Sequence, residues 1–387
     1  MSHLISTYAR LPVEFVRGEG VYLFDNKGKK YLDALAGIAV CGIGHANPEL
    51  SANLKIQADK LWHTSNLFAA PEQEKAAQTL CRISGMKRAF FANSGTEANE
   101  AAIKLTRLHA EKLAIENPQV ISFHGGFHGR TFGAMAATSN PKIRAHFFPH
   151  LPDFVHLPFN DFAAIEAHRF NPKIVAVMFE CVQGEGGLHP AEREFVQKLR
   201  EICYKRNWLL ICDEVQIGMA RSGKWFGFQH YGIEPDAITM AKALGNGLPV
   251  GALLVNEKTE NYFQIGMHGS TFGGGNLVIN TVNKVLEIYE RDNLPERAEK
   301  IGNFLKNLLN EKLGNLPIVK EIRGLGLMLG IELQRPIENL VAKGLEKSVV
   351  INVTAGKVIR LLPPLIWTEE HCRELVDILF DLLKDEK

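Results

Sequence analysis

Trp208-Leu209-Leu210-Ile211-Cys212-Asp213-Glu214-Val215-Gln216 contains a short apolar run that stops on an acid. A run this short, without polar alternation, fits a strand buried on both faces of a parallel sheet. Outward from it, Ala237-Ile238-Thr239-Met240 is a second such run, leading through Ala241 to Lys242 and the turn Gly245-Asn246-Gly247. A lysine that only needs its head in water rarely sits between a strand and such a turn. Acid and lysine thus come from strand ends of one sheet and can face one cleft. That pair suits pyridoxal phosphate: a lysine amine bonds the cofactor's carbonyl carbon, and an acid keeps the pyridine nitrogen protonated so that the ring accepts electrons. Taken alone, Asp213 also reads as a helix N-cap.

Further runs surround this pair. Ala89–Ala92, Val120–Phe123, Ile174–Glu180 and Ala252–Val255 complete the expected strands, and helical patterns fill the gaps. Glu97–Ile115 and Arg193–Asn207 carry apolar residues at steps of three or four. The alternation predicts a parallel sheet covered on both faces. Val21–Asp33 reads as a hairpin turning at Asn26-Lys27-Gly28. After Asn276 come a long amphipathic helix and strands at Glu321–Glu332 and Val358–Leu362. These patterns divide the chain into a large cofactor-binding domain (61–275) and a small α+β domain built from the N-terminal segment (1–60) and the tail (276–387).

Composition narrows the function. The 44 basic and 43 acidic residues leave no excess for nucleic acid or an anionic membrane. The six cysteines (Cys41, Cys81, Cys181, Cys203, Cys212 and Cys372) are scattered, which favours a reducing compartment over a disulfide framework. No signal-like start or membrane-length apolar run is present, so a cytoplasmic location is expected.

In Phe90–Glu100, a strand passes through Asn93-Ser94-Gly95-Thr96 into a helix. Free N–H groups there, with the Ser94 and Thr96 hydroxyls, could hold a phosphate at the positive helix end; the alternative is a plain cap. In His124-Gly125-Gly126-Phe127-His128-Gly129-Arg130-Thr131, Phe127 could stack on a planar ring and Arg130 could grip a carboxylate. His124 and His128 lack a third ligand at useful spacing, so no metal is expected.

Together these motifs resemble the class III (subgroup II) aminotransferases of pyridoxal phosphate fold type I. The resemblance spans nearly the whole chain. It adds Gln183-Gly184-Glu185-Gly186-Gly187, His268-Gly269-Ser270-Thr271-Phe272-Gly273-Gly274, Arg323-Gly324-Leu325-Gly326 and Arg360-Leu361-Leu362-Pro363-Pro364 to the stretches above. It implies an α/β fold whose large domain has a mainly parallel, seven-stranded-type sheet. Gly95, Thr96 and Ser94 would hold the phosphate, and Phe127 would stack on the ring. Asp213 would pair with the ring nitrogen, Val215 would pack behind the ring, and Gln216 would meet the phenolic oxygen. Lys242 would be the covalent lysine and proton shuttle. Thr271 would reach the phosphate of a neighbouring subunit, which implies a homodimer with shared sites. Arg130 and Arg360, with Ser270 nearby, would hold substrate carboxylates, and Glu185 would mask Arg360 until 2-oxoglutarate arrives.

Two positions depart from the family. Gly275-Asn276 replaces a common Asn-Pro, and Cys41 stands where an asparagine is common, at the expected mouth of the substrate site. The position of Ile38, where ornithine-specific members carry a tyrosine, suits an acylated amine. The expected reaction is therefore ping-pong transfer of the δ-amino group of N-acetylornithine to 2-oxoglutarate, as in arginine biosynthesis, with N-succinyl-diaminopimelate as a second donor. The alternatives are an ornithine, succinylornithine or 4-aminobutyrate aminotransferase, or a pyridoxal phosphate-binding protein without turnover.

Overall fold

A computed structural model describes residues 3–151 and 153–386, so Met1, Ser2 and Lys387 of the terminal segments lie outside it. Its central sheet runs Arg88–Ala92, Gly251–Val255, Ala237–Met240, Leu209–Asp213, Ile174–Phe179, Gln119–Phe123 and Phe154–Leu157, in that spatial order. Six of these coincide with the apolar runs. Phe154–Leu157 is the addition, a half-buried edge strand whose His156 breaks the apolar pattern. The direction of Gly251–Val255 is a correction, because it is antiparallel to both neighbours. Its link from Met240 carries only a short 3-10 turn, Lys242–Leu244, and a parallel return needs a crossover of a dozen or more residues.

Alternation along the strands decides which residues meet. Leu209 and Ile211 pack with Ala101, Ala102 and Leu105 of the helix Gly95–Lys112. Leu210 and Cys212 face the other way, toward Phe195 and Leu199 of Arg193–Arg206. Asp213 shares the parity of Leu209 and Ile211, so it points toward the start of Gly95–Lys112.

The helices Asn276–Arg291 and Leu294–Leu313 lead into a four-stranded antiparallel sheet. Glu321–Glu332, expected as one strand, is a hairpin of Val319–Leu325 and Met328–Leu333. Gly326, with φ 54°, makes the turn, and an added Cβ there would lie 2.4 Å from the Ser222 carbonyl carbon. The N-terminal hairpin forms as expected, with Tyr22–Asp25 paired to Lys30–Asp33. Its sheet takes a fourth strand, Val349–Val350, from the tail.

Glu332 in that hairpin is 8% exposed and contacts Arg323 at 2.6 Å, Lys320 at 2.9 Å and Lys357 at 3.1 Å. Burial pushes its carboxyl up, but the three cations outweigh this and hold it at about 2. A depressed folded pKa stabilises above the unfolded value and is lost as pH falls through the folded one. Glu332→Gln should therefore lower stability by about 1–3 kcal/mol at neutral pH. The gap to wild type should narrow below the ordinary carboxylate range and close toward pH 2, read by urea unfolding across pH. A gap independent of pH would contradict the ion-pair account.

Candidate active site

Five strand ends converge on one rim. The strand Arg88–Ala92 runs on into Ser94, Gly95 and Thr96, Gln119–Phe123 into Phe127, and Ile174–Phe179 into Glu180. Leu209–Asp213 ends on the acid, and Ala237–Met240 leads to Lys242. Carboxyl ends of parallel strands are where open α/β sheets bind ligands. A cavity of about 440 Å³ lies there, and all these residues line it together with Arg130, Val215 and Gln216.

Asp213 is 3% exposed, and both its oxygens are engaged. Oδ2 accepts from His128 Nδ1 at 2.7 Å and from Asn99 Nδ2 at 2.8 Å, while Oδ1 accepts the Val215 N–H at 3.0 Å. Burial raises the carboxyl pKa, but the His128 bond and charge reverse that, and the net shift is downward. His128 moves the opposite way: burial lowers it and Asp213 raises it further. The couple thus favours a carboxylate on Asp213 and a proton on His128.

Lys242 sits at φ 45°, an unusual conformation for a side chain with a Cβ. Among the described residues its amine has no hydrogen-bond or ion-pair partner. Burial lowers its pKa against the pull of Asp213, Glu185 and Glu180, which leaves the amine readier to act as a nucleophile.

Arg360, 2% exposed, lies near enough to Lys242 for its charge to be felt there. Its guanidinium donates to Glu185 Oε1 and, at 2.8 and 3.1 Å, to Asn352 Oδ1. Arg130 is exposed and has no such partner among the described residues; its guanidinium lies 6.0 Å from the Phe127 ring centre. Ser94 serves as a cap, its Oγ accepting from Glu97 N at 3.2 Å. The first helical N–H groups, at Gly95 and Thr96, are thereby left free of intrahelical acceptors.

Two expected residues lie apart from this cavity. The Ser270 hydroxyl is engaged with Asn93 and with the Gly273 N–H, and Thr271 is exposed to solvent. Val40, and not Cys41, reaches the cavity wall.

Three contributors went unread in the sequence. His128 reads in the sequence only as a possible metal ligand, yet it serves Asp213. Asn99 carried a signal, a buried amide on a helix face of alanines. Glu180 reads in the sequence as a strand end. Its Oε2 accepts the Phe127 N–H at 3.0 Å and its Oε1 the Gly184 N–H at 3.2 Å, so it ties the aromatic loop to the Glu185 loop. Burial raises its carboxyl pKa despite the nearby His128.

A family model for aminotransferase class-III matches residues 6–383. The chain belongs to the class-III aminotransferases. A similar relative is the acetylornithine aminotransferase of Nitrosomonas europaea, 46% identical over 377 residues, covering 97% of this chain and 96% of that protein. Among solved structures, the ornithine aminotransferase of Toxoplasma gondii ME49 superposes with a TM-score of 0.95 at 30% identity, over 98% of this chain and 92% of that one. The acetylornithine aminotransferase of Elizabethkingia anophelis gives 0.88 at 32%, over 98% and 96%.

The cofactor of class-III aminotransferases, pyridoxal phosphate, fits the residues present. Buried Gln216 Oε1 and Asn99 Oδ1 at the cavity wall have no hydrogen-bond partner among the described residues and stand ready to meet polar atoms. The helix start offers N–H groups to a phosphate, and the Asp213–His128 couple offers an ionised acceptor to a protonated ring nitrogen. The cradle is tight: a Cβ on Gly95 would fall 2.8 Å from Val215 Cγ1 and 3.4 Å from Ala241 Cβ. Gly95→Ala should weaken pyridoxal phosphate binding about tenfold, the equivalent of a mild overpacking strain. Reconstitution of apoenzyme followed by absorbance reads this, and unchanged affinity would show that the cradle tolerates the methyl group.

Proposed function

We propose that this class-III aminotransferase moves the δ-amino group of N-acetylornithine to 2-oxoglutarate, in arginine biosynthesis in the cytoplasm. The observation that carries the reading is the ion pair of buried Arg360 with half-buried Glu185, close enough for both charges to act on Lys242, in a protein whose cofactor cavity is also lined by exposed Arg130. The identity to relatives named acetylornithine aminotransferase supports the donor.

When bound, pyridoxal phosphate supplies an electron-accepting ring that carries the amino group between the two half-reactions. Gly95 and Thr96 would hold its phosphate, Phe127 and Val215 its ring faces, and Gln216 its phenolic oxygen. Asp213, kept ionised by His128, would hold a proton on the ring nitrogen. Lys242 Nζ would anchor the cofactor and, once displaced by the donor, take the proton from the donor's Cδ. Its lowered basicity suits both tasks.

The paired arginine gives the site two modes. With N-acetylornithine bound, Arg130 would take the single carboxylate, and Glu185 would keep Arg360 neutralised in its dry setting. With 2-oxoglutarate bound, Glu185 would release Arg360 to grip the second carboxylate in bidentate fashion. Ser270 would assist at the substrate's edge. Thr271 is exposed and does not line its own cavity, which fits the proposal that each subunit of a homodimer lends it to the other's phosphate. We assign the cofactor site to residues 61–275, and the Arg360 side to a small domain of 1–60 and 276–387.

Ile38 is half-buried in the Ala36–Ala39 turn, two residues before Val40 of the cavity wall, and offers no hydroxyl to a free α-amine. N-Acetylornithine should therefore exceed ornithine and 4-aminobutyrate in kcat/KM by about tenfold or more, with N-succinyl-diaminopimelate second. A preference for ornithine in a side-by-side assay would overturn the donor. Lys242→Ala should lower transamination about 100-fold or more. Loss of the bound cofactor's yellow colour on adding N-acetylornithine, and its return with 2-oxoglutarate, would separate catalysis from mere binding.

A further inference from the structure

Arg360 is held by more than Glu185. Its strand, Val358–Leu361, lies between Met328–Leu333 and Asn352–Thr354 in the tail sheet. The register sets Arg360 opposite Gly330 on one side and opposite Asn352 on the other. Directly opposed residues of an antiparallel pair share a face. Gly330 has no side chain, and Leu188 of the Glu185 loop comes within 2.8 Å of where its Cβ would lie. Asn352 is therefore the cross-strand side chain beside the guanidinium. Its amide oxygen accepts from Nη2 at 2.8 Å and from Nε at 3.1 Å. Thr354, two residues on and on the same face, donates to the Glu185 carbonyl at 2.8 Å. One short strand thus holds the arginine by its head and the glutamate by its backbone.

The donors can be counted. A guanidinium has five N–H groups and no acceptor. Asn352 takes the edge formed by Nε and Nη2. Glu185 Oε1 is bonded to Nη1, and the Gly184 carbonyl lies 3.4 Å from the same nitrogen. What remains is the edge shared by Nη1 and Nη2, which a carboxylate can grip in bidentate fashion once Glu185 leaves. Asn352 fixes the orientation of that edge and brings no charge of its own. The buried guanidinium therefore still needs a carboxylate. An acid in place of Asn352 would meet that need permanently and remove the reason for exchange.

Building on the proposed role of Arg360 as the grip for the second carboxylate of 2-oxoglutarate, we propose that Asn352 is a positioning residue that sets acceptor specificity. It aims Arg360 with a neutral oxygen. One carboxylate at a time, from Glu185 or from the far end of a dicarboxylate 2-oxo acid, then completes the pair.

The two half-reactions of the holoenzyme are followed separately by absorbance, first with N-acetylornithine and then with 2-oxoglutarate. Asn352→Asp keeps the size of the side chain and adds a charge. It should slow the 2-oxoglutarate step about tenfold or more at low concentration, through repulsion of the incoming carboxylate, and change the donor step about twofold at most. Binding of glutarate, a dicarboxylate without the reacting carbonyl, should weaken about tenfold as well, read by calorimetry. Asn352→Ala removes the acceptor without adding charge and should slow the 2-oxoglutarate step less, about threefold. Equal losses in both steps, with either variant, mean a general structural role and overturn the proposal, so Asn352→Ala decides even if Asn352→Asp does not fold. An unchanged 2-oxoglutarate step or unchanged glutarate affinity in folded Asn352→Asp overturns it too, and a larger loss with alanine than with aspartate overturns the role of the neutral charge. If the unsubstituted enzyme draws its amine from another donor, that donor serves in the first step and the comparison stands. If it does not pass the amine to 2-oxoglutarate, the proposed function itself fails.

Discussion

A carboxylate cannot stay charged in an apolar interior without compensation, since desolvation costs several kcal/mol per ion. Asp213 is that carboxylate. The strand Leu209–Asp213 buries it, and its parity aims it at the helix Gly95–Lys112. Asn99 on that helix and His128 in the next loop then supply the donors that keep it ionised. Without those donors burial would push the acid toward its protonated form, at the expense of the site's fixed negative charge. The sheet order, the helix start and the aromatic loop are thus parts of one electrostatic requirement.

The site also depends on charges that are balanced in pairs. Lys242 is kept weakly basic by burial while three carboxylates pull the other way. Arg360 is neutralised locally by Glu185. Glu180 joins two loops through backbone N–H bonds and does not itself bond a cation. Burial thus lowers Lys242 and raises Glu180 at one cavity, the kind of divergent tuning that general acid–base work uses.

Much of this was legible in the sequence because buried strands leave short, unbroken apolar runs. Leu209–Asp213 and Ala237–Met240 are of that kind, and their terminal acid and lysine followed directly. The edge strand Phe154–Leu157 escaped because one face is wet and His156 sits within it. The reversal at Gly251–Val255 escaped because apolar pattern carries no direction; only the length of the connection does. The hairpin at Gly326 was hidden by an apolar run continuing through the turn. His128 and Asn99 were hard to read because their partner, Asp213, is distant along the chain and near only after the sheet forms.

The loop that carries Glu185 has an unexpected attachment. It leaves the central sheet at Phe179, yet Arg323 donates to the Gly187 carbonyl at 2.7 and 3.0 Å, and Thr354 Oγ1 donates to the Glu185 carbonyl at 2.8 Å. Arg323, Thr354 and Arg360 all stand on the antiparallel sheet of the tail. These bonds fasten Glu185 to that sheet, while the Gly184 N–H keeps the loop's start on Glu180 at the central one. If the tail sheet rocks against the central one, acid and arginine travel as a single unit, and the distance between them is indifferent to the motion. In the proposed mechanism the latch would thereby be insulated from such motion and would answer to the second carboxylate of an incoming ligand.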